Sequence, residues 1–169
     1  MANPKPVTLT IRPAADADLP ALAALCVETN RHYYGPINGD EEMSSATAAA
    51  LIQGRSGCTA LLALEGEAAI AFATFTIVHL APNANGTLFL KELFVSKRAR
   101  GTGVGEQVMR HLARMAVEMG CARFDWTAET DNPRAMAFYD RLGAPRVEEK
   151  VYYRLTGTDL STFAKGDQP

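Results

Sequence analysis

A cluster of three glycines is the feature of the sequence that most clearly indicates chemistry. Gly101, Gly103 and Gly105 fall within five positions of the stretch RARGTGVGEQ, between an apolar segment ending at Val95 and a helical pattern starting near Val104. The first backbone amides of a helix have no partner inside the helix, and the helix dipole adds positive potential there. Basic side chains stand beside the glycines, namely Lys97, Arg98 and Arg100. The pattern predicts a cradle for an anion, best matched to a diphosphate, and the alternative is a tight turn with a solvated basic rim.

Two common phosphate-binding loops do not fit this stretch. A dinucleotide fingerprint needs the spacing G-x-G-x-x-G, whereas Glu106 stands where the third glycine is required. A nucleoside-triphosphate loop needs Lys and then Ser or Thr after its last glycine, whereas Glu106 and Gln107 follow Gly105. The residues therefore argue against both loops and leave the anion open.

A second patterned stretch, DNPRAMAFYDRLGA, occupies residues 131–144. Asp131 or Asn132 can cap a short helix, Pro133 suits its first turn, and Gly143 closes it. An aromatic pair, Phe138 and Tyr139, lies on this helix.

The elements that must position both stretches are predicted from hydrophobic periodicity. Strands are expected at residues 7–12, on both sides of a turn at 65–67, at 87–95, at 122–128, and once or twice within 146–155. Helices are expected after a cap at Asp16 or Asp18 with Pro20 in the first turn, after a cap at Ser44 or Ser45, and from Val104 to Gly120. A helical stripe that ends at Met119 should face the core, and the polar residues 156–169 should be frayed.

Composition narrows the class of protein. The chain has 169 residues, of which 47% are hydrophobic, with a formal net charge of −2 and an isoelectric point near 5.9. These values favour one globular domain and argue against a nucleic-acid binder, which usually carries a strong basic excess. We see no secretory signal and no apolar run long enough for a membrane helix, so a cytoplasmic location is expected. Cys26, Cys58 and Cys121 match no disulfide framework or zinc spacing, so we expect reduced thiols and no metal.

The two stretches together resemble the GCN5-related N-acetyltransferase (GNAT) family. Arg100, Gly103 and Gly105 match its R/Q-x-x-G-x-G/A signature, and residues 132–144 resemble its second motif, N-x-x-A-x-x-F-Y-x-x-x-G-A. The opening TIRPAADADLPAL and the LFV before the basic turn also agree, so the resemblance runs from about residue 8 to residue 155. It implies a single α/β domain over residues 1–169, with a core at about 7–155. The expected sheet is mixed and mostly antiparallel, with a central parallel β4–β5 pair flanked by helices.

This resemblance also implies acetyl-CoA as the cosubstrate, with no metal. The backbone of the glycine turn would hold the pyrophosphate, and pantetheine would pair with the edge of the fourth strand. A backbone amide of Phe94 or Val95 could then donate to the thioester carbonyl. The residues that it implies for cofactor binding are Phe94, Val95, Arg100, Gly101, Thr102, Gly103, Val104, Gly105, Asn132, Ala135 and Phe138.

Acetyl transfer to an amine also needs an acid and a base. Tyr139 falls where the family places the acid that protonates the leaving thiolate, although it could instead be a core aromatic. Glu92 matches the second acid of a Glu–Asp pair found in polyamine acetyltransferases, but Lys91 replaces the first. Glu129 or relayed water are alternative bases.

The acceptor is expected to be a primary amine of a small molecule. Its pocket should come from variable segments such as RHYYGPINGDEE, unless that segment is a plain solvated loop. The alternatives are a protein or peptide N-acetyltransferase and a CoA-binding regulatory module without transfer activity. Because homodimers are common in this family, a homodimer is expected.

Overall fold

The computed structural model describes residues 9–35, 39–79 and 85–166. Contacts between residues divide the chain into two compact units, Met1–Ala128 and Glu129–Pro169. The expectation of a single domain over residues 1–169 stays a prediction.

Five strands of the first unit form one mixed sheet in the order β1-β2-β3-β4-β5. Their bounds are Thr10–Pro13 for β1, Thr59–Glu65 for β2, Ala68–Val78 for β3, Thr87–Val95 for β4 and Arg123–Trp126 for β5. Neighbouring strands are antiparallel except β4 and β5, which are parallel. The predicted α/β class with a mostly antiparallel sheet and a parallel β4–β5 pair is therefore confirmed. This pair closes one edge of the described sheet, whereas a central position was expected.

Three helices of the first unit cover this sheet, and their bounds are Leu19–Tyr34 for α1, Glu41–Ile52 for α2 and Val104–Glu118 for α3. α1 and α2 pack against each other and against β3 and β2, whereas α3 contacts β3, β4 and β5. Alternate sheet residues, including Leu62, Phe72 and Phe94, join the core beneath α1 and α2. Their neighbours Leu61 and Ala73 are also buried, so both faces of the sheet are covered.

The start of α2 differs from the prediction. The carboxylate of Asp40 caps this helix by accepting a hydrogen bond from the Met43 amide at 3.0 Å. Ser44 and Ser45, the predicted caps, lie inside the helix. Ser44 is fully buried, and its hydroxyl accepts a hydrogen bond from the Asn30 side chain at 3.2 Å. Ser44 was therefore predicted to begin α2, whereas its hydroxyl connects α2 to α1.

The start of α1 was placed correctly, but its capping was not. Asp18 precedes the helix and Pro20 lies in its first turn, yet no side chain caps it. The Asp18 carboxylate instead accepts hydrogen bonds from the Arg12 guanidinium at 2.6 and 2.8 Å. This ion pair lowers the pKa of Asp18 to about 2.

The second unit contains α4, Pro133–Arg141, and α5, Gly157–Ala164. The one or two strands predicted within residues 146–155 do not form, and α5 occupies a tail that was expected to be frayed. A strand needs a partner for its backbone groups, and periodicity alone cannot show whether a partner is available.

Three further expectations concern exposure and position. Met119 was predicted to continue the buried stripe of α3, but it follows the helix and is 55% exposed. The segment APNANG at residues 81–86, whose composition predicts a loop, lies mostly outside the described residues. No helix in the described part of the chain is long and apolar enough to cross a membrane.

Candidate active site

The glycine turn leads directly from β4 into α3. Gly101 and Gly103 have φ angles of 80° and 85°, a left-handed backbone that non-glycine residues rarely adopt. A Cβ atom built on either residue meets nothing within 4 Å, so backbone conformation rather than crowding requires glycine here. No side chain caps the N-terminus of α3. Open space therefore adjoins backbone amides that can donate to an anion.

Hydrogen bonds within the turn and to α1 and β3 hold this turn in place. The Thr102 hydroxyl donates to the Ala99 carbonyl at 2.7 Å, inside the turn. The Lys97 amide donates to the Glu28 carboxylate on α1 at 2.7 Å, and the Arg98 guanidinium donates to a β3 carbonyl at 2.9 Å. The turn thus has a defined shape before any ligand binds.

Arg100 packs back onto the end of β4. Its Nε donates to the Val95 carbonyl at 3.0 Å, and its guanidinium carbon lies 5.4 Å from the centroid of the Phe94 ring. The guanidinium is close enough to lower the pKa of Tyr33, although burial and Glu92 raise that pKa overall. Arg100 therefore brings positive charge to the junction of the turn and the strand.

The end of β4 has an open edge. β5 pairs only with residues 87–90, so residues 91–95 have no strand partner on that side among the described strands. On the other side, the Ser96 amide donates to the Ile70 carbonyl at 2.9 Å. Backbone groups alternate along an antiparallel strand, so the Phe94 amide also faces β3, whereas the amides of Leu93 and Val95 face the open edge. Of the two donors expected from the sequence, only Val95 fits this register, and Leu93 joins it.

A cleft of about 230 Å³ lies between the sheet and the two N-terminal helices. α1 contributes Cys26, Thr29 and Asn30, and the sheet contributes Phe72, Thr74, Lys91 and Glu92. α2 adds Thr47 and Leu51. Glu92, a predicted base, is half-buried in this cleft. Its burial raises the pKa of its carboxyl, and the nearby Lys91 ammonium partly offsets that rise. The net rise makes this carboxylate a better proton acceptor than an exposed glutamate.

A β-bulge explains how Lys91 and Glu92 come to line the same cleft. Thr74 and Phe75 are consecutive in β3, but they pair with Glu92 and Leu90 of β4, so Lys91 is the extra residue. In a regular strand, consecutive side chains point to opposite faces. The bulge breaks this alternation and brings both side chains to one side.

The helical wall of the cleft was not predicted from the sequence. Cys26 was expected to be a reduced thiol, and Thr29 and Asn30 were not assigned a role. Burial and the Glu92 carboxylate raise the pKa of Cys26 to about 11, so its thiol stays protonated at neutral pH. The adjacent polar residues Thr29 and Asn30 lie one turn after the buried Cys26. This pattern in the sequence could have indicated a polar wall on α1.

The acidic loop proposed for the acceptor pocket does not line this cleft in the described structure. Asp40 caps α2, and Glu41 and Glu42 are exposed in its first turn. Tyr33, from the same segment, lies near enough to the cleft for the Glu92 carboxylate to act on it. Burial and that carboxylate both raise the pKa of the Tyr33 hydroxyl.

The second unit carries the remaining predicted residues. The Asn132 side-chain oxygen caps α4 by accepting a hydrogen bond from the Ala135 amide at 3.1 Å, as predicted for this helix. The Phe138 and Tyr139 rings are 5.0 Å apart, and both residues are half-buried. Glu129, the alternative base, has a side chain that is 75% exposed and lies 3.6 Å from the Arg154 guanidinium.

The metal and thiol expectations concern the whole chain. In the ranges that the structure describes, no three His, Cys, Asp or Glu side chains are grouped so as to hold a metal ion. Cys26, Cys58 and Cys121 are all free thiols.

A known protein family matches a range of this chain that includes both motifs. The model of the acetyltransferase (GNAT) family matches residues 23–144. An integron cassette protein from the mobile metagenome of V. cholerae superimposes with a TM-score of 0.82 and 36% identity, over 93% of this chain and 98% of that one. Aminoglycoside N-acetyltransferase AAC(6')-Iy in complex with CoA superimposes with a TM-score of 0.70 and 21% identity, over 90% and 97% of the two chains.

Sequence relatives with named activities match shorter segments. L-ornithine N5-acetyltransferase NATA1 of Arabidopsis thaliana is 30% identical over 77 residues, which are 46% of this chain and 34% of that protein. N-alpha-acetyltransferase MAK3 of Arabidopsis thaliana is 32% identical over 71 residues, which are 42% of this chain and 37% of that protein. The chain thus spans about a third of the length of these curated relatives.

Proposed function

The chain belongs to the GNAT acetyltransferase family, and from that premise we propose that it transfers an acetyl group from acetyl-CoA to a primary amine of a small molecule. The observation that carries this proposal is the continuity of the glycine turn with the open end of β4. Amides of the turn and of α3 would hold the pyrophosphate, with Gly101 and Gly103 leaving the backbone accessible and Gly105 in the first turn of α3. The open edge at residues 91–95 would receive the pantetheine arm.

Three groups would carry the chemistry. The backbone amides of Leu93 and Val95 face the open edge, where they would donate to the thioester carbonyl oxygen as negative charge develops on it. Glu92 would accept the proton that the attacking amine loses. Tyr139 would protonate the departing sulfur, because a thiol with a pKa near 8.5 and a phenol with a pKa near 10 exchange a proton at little cost. The remaining residues proposed to contact the cosubstrate are Phe94, Arg100, Thr102, Val104, Asn132, Ala135 and Phe138.

The size of the cleft favours a small acceptor. Its volume of about 230 Å³ is below the roughly 300–1,000 Å³ typical of sites for drug-sized ligands. NATA1 is named for acting on L-ornithine, a small amine, whereas MAK3 is named as an N-alpha-acetyltransferase. A protein or peptide acceptor remains the second candidate, and a regulatory module without transfer activity is the third.

Acetyl-CoA is expected to raise the melting temperature of the protein. A ligand at 100 times its Kd adds about 2.7 kcal/mol of stability, or about 5–10 °C for a chain of this size. The Gly103→Val variant should lose this shift, because a β-branched residue at a φ of 85° distorts the turn that holds the pyrophosphate. Differential scanning fluorimetry with acetyl-CoA, NAD and ATP measures the effect.

Gly120→Val is the matched control for backbone strain. Gly120 has a φ of 71° and open space at its Cβ position, but it follows the opposite end of α3. This variant should lose stability and still respond to acetyl-CoA. Stabilisation by NAD or ATP without stabilisation by acetyl-CoA would contradict the proposal, as would an undiminished acetyl-CoA shift in Gly103→Val.

We also infer that the protein forms a homodimer through its C-terminal segment. Seven large apolar side chains there are exposed, namely Val147, Val151, Tyr152, Tyr153, Leu155, Leu160 and Phe163. Residues 146–155 have the composition of a strand but pair with none of the described strands, while β5 ends the described sheet. An unpaired strand-forming segment and an open sheet edge in one chain favour pairing between copies.

Light scattering at micromolar concentration is expected to give twice the chain mass of 18.2 kDa. Replacing Val151 and Tyr153 together with lysine should shift the protein to the monomer, because charged side chains oppose edge pairing. A wild-type mass of one chain, or a variant that stays dimeric, would rule out this interface.

A further inference from the structure

Building on the proposed transfer reaction, we propose that the acceptor carries a carboxylate as well as its reactive amine, and that Lys91 selects for it. In this arrangement the Glu92 carboxylate receives the amine end of the acceptor and the Lys91 ammonium receives its carboxylate. Lys91 is thus a specificity-determining residue, and the substrate class is an amino acid with a terminal amine.

The bulge in β4 provides the geometry for this selection. It places Lys91 and Glu92 side by side along one wall of the cleft, although they are consecutive in a strand. Without the bulge, one of the two charges would lie on the opposite face of the sheet. Because of the bulge, the Lys91 ammonium and the Glu92 carboxylate both line the same cleft.

The charge balance of the cleft favours an acceptor with both signs. Among the described residues of its lining, Lys91 and Glu92 are the two of acidic or basic type, and Cys26 and Cys58 are free cysteines. The hydroxyl and amide side chains of the lining, Thr29, Asn30, Thr47 and Thr74, are neutral. A diamine would meet one carboxylate and a repelling ammonium, whereas an acceptor with an amine and a carboxylate matches both charges.

The positions of the groups fit a short linear molecule. Glu92 precedes Leu93, whose amide faces the open edge where the thioester would lie, so an amine held at Glu92 is one residue from that edge. Lys91 lies on the far side of Glu92 from that edge residue and is the more exposed of the two. The amine end would therefore be held deeper, and the carboxylate would be held nearer to solvent.

Lysine and cadaverine form a matched pair of acceptors, because they differ only in the carboxylate. Initial rates of CoA thiol release with each acceptor are expected to give a kcat/KM about 10- to 100-fold higher for lysine, as for one charged hydrogen-bonded contact. In Lys91→Glu this preference should reverse, and in Lys91→Gln it should disappear. The change should fall mainly in KM, since Lys91 binds the acceptor and takes no part in proton transfer.

Lys165→Glu, a charge reversal at an exposed position after α5, is the control and should keep the preference for lysine. Calorimetric binding of lysine and cadaverine to the protein saturated with CoA gives a second readout that does not depend on turnover. Equal or better use of cadaverine by the wild type, or a preference unchanged in Lys91→Glu, overturns the proposal. So does the absence of any lysine binding to the CoA complex.

Different results would contradict the transferase function and the role of Lys91. Loss of acetyl-CoA stabilisation and of thiol release with every amine would contradict the transferase function itself. Robust turnover of amines that lack a carboxylate, with no preference for lysine, would leave the transferase function intact and remove only the role of Lys91.

Discussion

Replacing Tyr139 with phenylalanine is expected to lower turnover by about 10²- to 10⁴-fold, the usual contribution of a general acid. The ring is retained, so its packing with Phe138, at a centroid separation of 5.0 Å, should persist. The affinity for acetyl-CoA should change far less, because protonation of the departing sulfur develops in the transition state. Steady-state turnover and calorimetric acetyl-CoA affinity measured on one variant give both quantities.

Tyr33→Phe is the control for this prediction. Tyr33 is the tyrosine whose pKa responds to Glu92 and Arg100, so it is the alternative donor near the cleft. Turnover of the Tyr33 variant should stay within a few-fold of wild type, in contrast to the Tyr139 variant. If Tyr139→Phe is fully active, Tyr139 is a packing residue and the acid lies elsewhere. Loss of turnover in Tyr33→Phe alone would move the acid role to Tyr33.

Replacing Glu92 with glutamine is expected to cause a loss of similar size, about 10²- to 10⁴-fold, if Glu92 is the base. The defect should be largest above the pKa of Glu92 and below that of the amine, which is about 10.4 for a lysine-type amine. In that window the acceptor is protonated and the carboxylate is ready to accept its proton. The loss should shrink as the pH approaches the pKa of the amine, because more acceptor is then deprotonated by solvent.

The pH profile also tests the environment of Glu92. Burial raises the pKa of this carboxyl, so the acid limb of wild-type kcat/KM should lie above the usual glutamate value of about 4.3 and be absent in Glu92→Gln. Glu129→Gln is the control, since its exposed side chain is paired with Arg154. An unchanged profile in Glu92→Gln would transfer the role to water or, if Glu129→Gln is impaired, to Glu129.

A measurement of thermal stability distinguishes the loss of a catalytic group in Glu92→Gln from misfolding of the variant. A carboxyl with a raised pKa binds its proton more tightly in the folded protein than in the unfolded chain. Its contribution to stability is therefore present at low pH and is lost as the pH rises through the folded-state pKa. Glutamine does not ionise, so Glu92→Gln should melt at least as high as wild type at neutral pH while turnover falls.

Local chemistry made a large part of the fold predictable from the sequence. β4 was predicted at its observed bounds, and α3 begins at Val104 as predicted, because an apolar strand, a glycine turn and an amphipathic helix are each encoded by nearby residues. The hairpin turn at Gly66 and the cap of α4 at Asn132 were also predicted, since a left-handed glycine and an N-cap depend on a few neighbours. The family followed from the same local motifs.

Elements that depend on distant partners were predicted less well. The strands expected within residues 146–155 have suitable composition, but no described strand offers them a partner. Ser44 looked like a helix cap, but its hydroxyl accepts a hydrogen bond from Asn30 on another helix. Hydrogen-bond partners far apart in the chain are chosen by packing, and a local pattern does not record that choice.

The sequence by itself determined the glycine turn and the strand that leads into it, and it supplied the candidates for the acid and the base. Only the tertiary structure decided what surrounds them. The register of β3 against β4 directs the amides of Leu93 and Val95 to the open edge, and the bulge at Lys91 places that lysine beside Glu92. The helical wall with Thr29 and Asn30 comes from packing of α1 on the sheet. Register, bulge and cleft all arise from competition among non-local contacts, which spacing along a single chain cannot resolve.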